Sequence, residues 1–176
     1  MKVEITRWKT STKEDKHRKG SIKKCVVEIG YGDHWNADFT LAVIAAPLLK
    51  RVKENKQGAP CVDDEDVPEE LRSTSCAPKE NEWDTDENFF KRWDFAMDEM
   101  IFAMEEIANG NANEPSPYTK EGEMVFGEID KTTGVGPISF EGYEETEDSR
   151  KAYTDYHDRI RNGCRLFGVY YTNLWT

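Results

Sequence analysis

The clearest pattern in the chain lies at residues 84–109, which read DTDENFFKRWDFAMDEMIFAMEEIAN. Apolar side chains recur there at alternating steps of three and four residues, from Phe90 through Trp93 to Ile107. This spacing places them on one face of an α-helix, and the acidic residues at its start suit the positive end of a helix dipole. The pattern predicts an amphipathic helix over residues 84–109 that ends at an Asn-Gly pair.

Two further segments carry helical patterns. Residues 36–57 are apolar nearly all round in their first half, which predicts a central buried helix, and Pro47 inside it predicts a kink or a division in two. Residues 146–175 repeat the three-and-four spacing and predict a third helix. Because glycine weakens a helix interior, Gly163 and Gly168 in this segment indicate a close helix–helix approach or a local break.

Extended and irregular patterns fill the rest of the chain. In residues 1–32, apolar and polar side chains alternate on both sides of a basic connecting segment, which predicts an antiparallel β-hairpin with a basic tip. Residues 59–82 hold three prolines and no sustained period, so they predict a long acidic loop, ordered or half-ordered. Residues 110–142 predict irregular structure with a small hairpin around the turn at 132–136. The expected fold is one domain over residues 1–176: α+β, mostly α, with a three-helix core, an N-terminal hairpin and long loops.

The charge of the chain is unevenly distributed. Its 176 residues include 35 acidic and 24 basic side chains, for a net charge of −11. Residues 1–24 hold nine basic and three acidic side chains, so that segment carries +6 and the remainder −17. This balance argues against a nucleic-acid partner bound through the whole surface and restricts any such contact to the basic hairpin tip.

Other classes of protein are also disfavoured by the composition. The longest apolar run, residues 41–49, is too short to span a bilayer, and no secretion signal is visible, so we expect no membrane partner. The four cysteines are widely separated, without a metal-binding spacing, which predicts free thiols in a reducing compartment. No nucleophile or phosphate-loop motif is found, and no cofactor is predicted.

Two polar stripes flank the apolar faces of the second and third predicted helices. The first stripe consists of Asp94, Asp98 and Glu105, and the second of His157, Arg161 and Arg165. If the two helices pack antiparallel, the stripes meet and form an ion-pair ladder. The alternative is a site in which the arginines hold a phosphate or carboxylate while the acids bind a metal ion.

Three sets of candidate functional residues follow from these patterns. Aromatic and basic side chains suited to a small anionic ligand such as a nucleotide are Trp35, Trp93, Tyr156, His157, Arg161 and Arg165. Candidate metal ligands are His34, Asp38, Asp94 and Asp98. Candidate partner-binding residues are Asp63, Asp64, Glu65, Asp66, Phe95 and Phe102, the two phenylalanines lying on the polar side of their helix and therefore either covered or exposed to a partner.

Several blocks of the chain resemble a family of small tailed-bacteriophage proteins. The blocks are HWNADFTLA at 34–42, PLLK at 47–50, VDDEDVP at 62–68, FKRWD at 90–94, DEMI at 98–101 and RNGCRLFGVYY at 161–171. They cover 40 of the 176 residues. The resemblance implies a phage protein acting in the cytoplasm of an infected bacterium, and it implies no particular activity.

Three functions are consistent with the sequence. The leading hypothesis is a non-enzymatic accessory protein that binds a host protein and inhibits or redirects it, a defence or transcription component, with an acidic surface that imitates nucleic acid. The first alternative is a protein that binds or sequesters a nucleotide-like ligand. The second is a metal-dependent hydrolase. The sequence leaves the oligomeric state open.

Overall fold

The computed structural model describes residues 2–7, 22–81 and 83–175. Its helices are α1 (Ala37–Asn55), α2 (Phe89–Ala108) and α3 (Glu147–Val169). Its strands are β1 (Lys2–Arg7), β2 (Ile22–Glu28), β3 (Tyr118–Lys120), β4 (Glu123–Phe126), β5 (Ile138–Glu141) and β6 (Glu144–Glu145). The predicted class is confirmed: the fold is α+β and mostly α, with about half of the chain helical.

The central helix is α2, which packs against α1 on one side and α3 on the other. Ten of its twenty residues are buried, and Trp93, Met97 and Met100 are at most 1 % exposed. The predicted apolar face is therefore confirmed as the centre of the core. The helix begins at Phe89 rather than at residue 84, and the polar groups just before it are bound locally: the Asp86 carboxylate accepts from the Asn88 backbone N–H, and the Asn88 side-chain carbonyl accepts from Lys91.

The prediction that α1 is the central buried helix is wrong. Only Ala42, Ala46 and Leu49 of α1 are buried, while Leu41 and Leu48 are 65 % and 59 % exposed. The helix contacts α2 with one side, so its other apolar residues point away from the core. It also continues across its internal proline as one helix rather than dividing there.

The packing of α3 on α2 is closest at Gly163. A Cβ atom added there would overlap the carbonyl oxygen of Glu99 and lie 2.6 Å from Cβ of Ala103. The close approach predicted for this glycine is thus confirmed. An added Cβ at Gly168 would meet no atom within 4 Å, so this second glycine is not required by packing.

The ends of α3 differ from the predicted range of 146–175. Thr146 caps the helix, since its hydroxyl accepts a hydrogen bond from the Ser149 backbone N–H and the serine hydroxyl accepts one from the Thr146 N–H. The helix ends at Val169, and a short 3₁₀ turn at Tyr171–Asn173 follows it.

The strands pair in three antiparallel couples. β4 pairs with β5, with Glu123 opposite Glu141, which confirms the small hairpin predicted within residues 110–142. β3 pairs with β6 and β1 with β2. Residues 8–21, which include the predicted basic tip, lie outside the described residues, so the N-terminal hairpin with its basic tip stays a prediction.

The acidic loop runs from the end of α1 to the start of α2. It contains three single 3₁₀ turns at Asp64–Asp66, Glu69–Leu71 and Ser73–Ser75, and it buries Val62 and Val67 against the core. Among the described residues, none of the helices has the length and apolarity needed to cross a membrane.

Candidate functional site

The first turn of the acidic loop is fixed to the end of α3. Tyr170 is 4 % exposed and packs edge-on against Trp93. Its hydroxyl donates to Asp66 Oδ2 at 2.6 Å and accepts from the Asp63 backbone N–H at 3.1 Å, while Arg165 Nη2 lies 2.6 Å from Asp66 Oδ1. Burial, together with the nearby Asp66 carboxylate, raises the pKa of Tyr170 to about 12. The phenol therefore stays a hydrogen-bond donor at neutral pH.

A buried ion pair fixes the other end of the loop. Nη1 and Nη2 of Arg92 donate to Oδ1 and Oδ2 of Asp86 at 2.9 and 2.7 Å, and both side chains are at most 6 % exposed. Arg92 Nη1 also donates to the Leu71 carbonyl, while the Asn88 backbone N–H and the Cys76 thiol donate to Asp86. The hydrogen bonds from Arg92 hold the pKa of Asp86 well below its usual range. The aspartate is therefore charged at neutral pH and joins the loop to α2.

Further hydrogen bonds order the middle of the loop. Asp64 accepts from the Ser73 backbone N–H at 2.7 Å and from its hydroxyl at 2.5 Å. The Asn88 amide donates to the Glu70 carbonyl at 3.0 Å. Of the two states that the sequence allowed, ordered and half-ordered, these contacts favour the ordered one.

An open groove runs between the loop and the start of α2. It consists of two adjoining hollows, of about 500 and 400 Å³, which share Lys79 and residues 84–86. Two aromatic rings line it, Trp83 and Phe89, and the tryptophan is 83 % exposed. We call it the acidic groove; its lining residues are 61–64, 73, 77–80, 83–87, 89 and 92.

The acidic groove carries a negative formal charge. Six carboxylates line it against two cationic side chains, and the charge of Arg92 is directed at Asp86. Within the described part of the chain, Asp63, Glu80 and Glu87 form no ion pair. Carboxylates beside an exposed indole ring form a surface that attracts an organic cation, through ion pairs and through contact with the ring face.

The predicted meeting of two polar stripes between α2 and α3 is wrong. The α2 acids pair with lysines of α1 and of its C-terminal cap instead: Glu105 with Lys50, Asp98 with Lys53, and Asp94 with Lys56, the residue after the helix. The α3 side chains pair elsewhere: His157 with Glu114, Arg161 with Asp158 and Arg165 with Asp66.

The reason is the 100° rotation between adjacent helical residues. α2 and α3 do pack antiparallel, but the acids that face α3 are Glu99, bound to Arg159, and Glu106, bound to Tyr156. Glu99 and Glu106 each follow a predicted stripe residue by one position, so their side chains point about 100° away from it around the helix. An ion-pair ladder does exist, between α1 and α2.

The candidate ligand-binding residues lie in different surroundings. Trp93 is 1 % exposed inside the core, while Trp35 is 70 % exposed in the turn before α1. Tyr156 and His157 lie side by side with ring centroids 5.5 Å apart, and the burial of Tyr156 beside Glu106 raises its pKa to about 12. Arg161 and Arg165 are engaged by the carboxylates named above. The nucleotide site stays a prediction.

The candidate metal ligands are also placed by the structure. His34 lies beside the rings of Tyr31 and Trp35, which also contact each other, and Asp38 lines a shallow hollow near the end of α2. Asp94 and Asp98 face α1. Among the described residues, no group of three or more His, Cys, Asp or Glu side chains has the arrangement of a metal site. The metal site stays a prediction.

The two phenylalanines proposed for partner binding are at least partly covered. Phe102 lies against α3, with the Arg159 guanidinium 3.8 Å from its ring centroid and Tyr156 edge-on at 6.0 Å. Phe95 is half-buried against the core. The acidic candidates differ from one another: Asp64 is bound by Ser73 within the loop and Asp66 by Tyr170 and Arg165 outside it, whereas Asp63 and Glu65 are exposed.

Sequence reasoning missed Asp86, Arg92 and Tyr170 as the residues that shape the groove. A signal for Arg92 was present, because it precedes Ala96 and Met100 at steps of four on the buried face of α2. A charged residue on a buried face requires a partner. Nothing in the sequence identifies that partner as Asp86. The sequence predicted only that Asp86, as one of the acidic residues before α2, interacts with the helix dipole.

No protein-family model, no curated protein and no solved structure matches the chain. The resemblance to small tailed-bacteriophage proteins therefore stays a prediction.

Proposed function

We propose that the protein is a non-enzymatic accessory protein that binds a basic host protein through the acidic groove and thereby inhibits or redirects it. The observation that supports this proposal is the groove itself, which is lined by six carboxylates and by an exposed indole ring. An arginine or lysine side chain entering it is attracted by Asp63 and Asp84 and contacts the face of Trp83.

The ordering of the loop adds to the support. Tyr170 and Arg92 fix the two ends of the loop through buried contacts, so the carboxylates are held in place before a partner arrives. A preordered surface loses less conformational entropy on binding than a flexible acidic segment does.

The class of partner is inferred from the net charge of the chain. Outside residues 1–24 the chain carries a net charge of −17, which favours association with a basic surface. Host proteins that bind nucleic acids, such as defence or transcription components, present such surfaces. We place the encounter in the cytoplasm of an infected bacterium on the strength of the sequence resemblance.

The nucleotide-binding and hydrolase alternatives have less support. The acidic groove repels a phosphate, because six of its lining residues are carboxylates. The arginines suggested for anion binding are already paired with aspartates.

Fluorescence anisotropy with a labelled oligoarginine peptide at low salt tests the proposal. The variant Asp63→Asn/Asp84→Asn removes two groove charges and is expected to weaken peptide binding at least about fivefold. The matched control Glu123→Gln/Glu141→Gln removes two exposed charges from the β4–β5 hairpin and should change binding less than about twofold.

Two results would contradict the proposal. The first is an equal loss of peptide binding in both variants, which would show that net charge alone attracts the peptide. The second is no peptide binding by the wild-type protein at low salt. Capture from bacterial lysate with the same two variants then tests for a host partner: a basic protein should be retained by the control and lost from the groove variant.

A further inference from the structure

The hairpin of β4 and β5 lies at the surface along its whole length. Every residue of the two strands is exposed, and neither strand contributes a residue to the buried core of the described chain. The hairpin is held by its own antiparallel ladder and by a hydrogen bond from the Gly127 N–H to the Pro137 carbonyl at 2.8 Å. Two strands alone are only marginally stable in water, and they need a further layer against their apolar side.

The register places four large apolar side chains on one side of this hairpin. Met124 is opposite Phe140. Phe126 is opposite Ile138. Directly paired residues, and residues two apart in one strand, project from the same side of an antiparallel ladder. All four are exposed: Phe126 by 71 %, Phe140 by 63 %, Ile138 by 54 % and Met124 by 50 %. We call these four residues the hairpin face.

The other side of the hairpin is more polar. It carries Glu123 opposite Glu141, and Val125 opposite Ser139. The two carboxylates therefore project away from the hairpin face, whose own four residues are uncharged. A basic partner of the kind that the acidic groove attracts finds no carboxylate among these four side chains. The hairpin face is suited instead to another uncharged apolar surface.

We infer that the hairpin face is the interface of a homodimer, in which the hairpins of two copies of the chain pack face to face. A two-fold axis brings the same four residues of each copy together, so the surface is its own complement. The two hairpins then form two layers about 10 Å apart, and each provides the cover that a two-stranded sheet needs. This inference is independent of the acidic groove.

The area of the hairpin face fits a second copy of the chain. Its four side chains together expose roughly 500 Å², which is more than half of the about 800 Å² that each partner contributes to a stable interface. The ring of Tyr143 adjoins this surface, with its centroid 6.0 Å from that of Phe140, and Tyr118 lies 4.8 Å beyond it. Such neighbouring residues supply the remainder, as the rim of a typical interface does. A contiguous apolar patch of this size commonly marks an interaction site.

Sedimentation velocity and light scattering between about 5 and 100 μM test the inference, since mass action favours a dimer as concentration rises. The wild-type protein should reach twice its 20.3 kDa monomer mass. The variant Phe126→Lys/Phe140→Lys places two charges on the hairpin face and should remain monomeric over the same range. Because neither residue belongs to the helical core, its far-ultraviolet circular dichroism should keep the helical signal of the wild type.

The matched control is Val125→Lys/Ser139→Lys, which adds the same two charges to the same strands on the more polar side, beside two glutamates. It should dimerise like the wild type. A milder variant, Met124→Ser/Ile138→Ser, removes apolar area without adding charge and should raise the Kd of the dimer at least about tenfold.

Three results would overturn the inference. They are a wild-type protein that is monomeric throughout, a dimer that survives the lysines on the hairpin face, and an equal loss of the dimer in the matched control. The groove variant Asp63→Asn/Asp84→Asn should still dimerise, so the outcome is separable from that of the proposed function.

Discussion

Helices α1 and α2 are alike in length, at 19 and 20 residues, and both are rich in apolar side chains. Their positions in the fold are nevertheless opposite, since α2 buries ten residues between two neighbours and α1 buries three against one. The apolar residues of α1 outnumber the positions that the core can accept. Apolar content therefore does not establish burial, because the number of apolar residues a helix can bury depends on how many of its sides have neighbours.

The polar contacts of the two helices differ in the same way. α1 contributes lysines to partly exposed pairs with α2, such as Lys53 with Asp98. α2 instead carries the buried Arg92, paired with Asp86, and the buried Glu99, which accepts three hydrogen bonds from Arg159. Exposed pairs contribute little to stability, whereas a buried charge must keep its partner.

The largest difference in stability is expected between substitutions at two adjacent leucines of α1. Leu49 is 1 % exposed and packs in the core, so Leu49→Ala should lower the free energy of unfolding by about 3 to 4 kcal/mol. Leu48 is 59 % exposed, so Leu48→Ala should change it by less than about 0.5 kcal/mol. Urea unfolding measures the free energy of unfolding of both variants. Equal losses in the two variants would show that the outer side of α1 is buried in the monomer.

The sequence predictions for these two helices also had opposite outcomes: the buried face of α2 was predicted correctly, and the burial of α1 was not. The seam of α2 was predictable because one regular spacing describes its large buried residues, from Trp93 to Met104, although Phe90 at the start of the seam is 51 % exposed. The burial of α1 was not, because a segment apolar on every side contains no signal for which side has a neighbour. The prediction that α1 is the central helix assumed that other elements pack against it on every side.

The acidic groove was predictable only in part. A local excess of acidic residues indicated an acidic loop, and local composition is enough for that. Its order depends on contacts between residues far apart in sequence, such as Tyr170 with Asp66. The partners of the α2 acids were missed for a related reason, since a shift of one residue, from Asp98 to Glu99, changes which helix a side chain faces.

The next test compares a buried carboxylate with an exposed one. Asp86→Asn should lower the free energy of unfolding by about 3 kcal/mol at pH 7, because it leaves the buried Arg92 without a counter-charge. The pKa of Asp86 in the folded protein lies below its ordinary value of 3.8, so the stabilisation is fully present above that pH. It is lost as the pH falls toward the folded pKa. The difference between wild type and variant should therefore shrink below about pH 4.

Asp98→Asn is the matched control on the partly exposed pair with Lys53. Its side chain is 57 % exposed, so the loss should be less than about 0.5 kcal/mol at pH 7. Denaturant unfolding at pH 7, 4 and 3 measures both variants. An Asp86→Asn difference that stays constant across this range would show that the carboxylate does not titrate with folding.

The contact of α2 with its second neighbour is tested at the two glycines of α3. Gly163→Ala should lower the free energy of unfolding by about 2 kcal/mol, because the added methyl group overlaps the Glu99 carbonyl and forces the helices apart. Gly168→Ala should raise it by about 0.5 kcal/mol, since the methyl group meets no neighbour and alanine favours the helix. Thermal unfolding of the two variants separates the effects by sign. If both substitutions stabilise the protein, α3 does not approach α2 at Gly163, and α2 then has close packing on the α1 side alone.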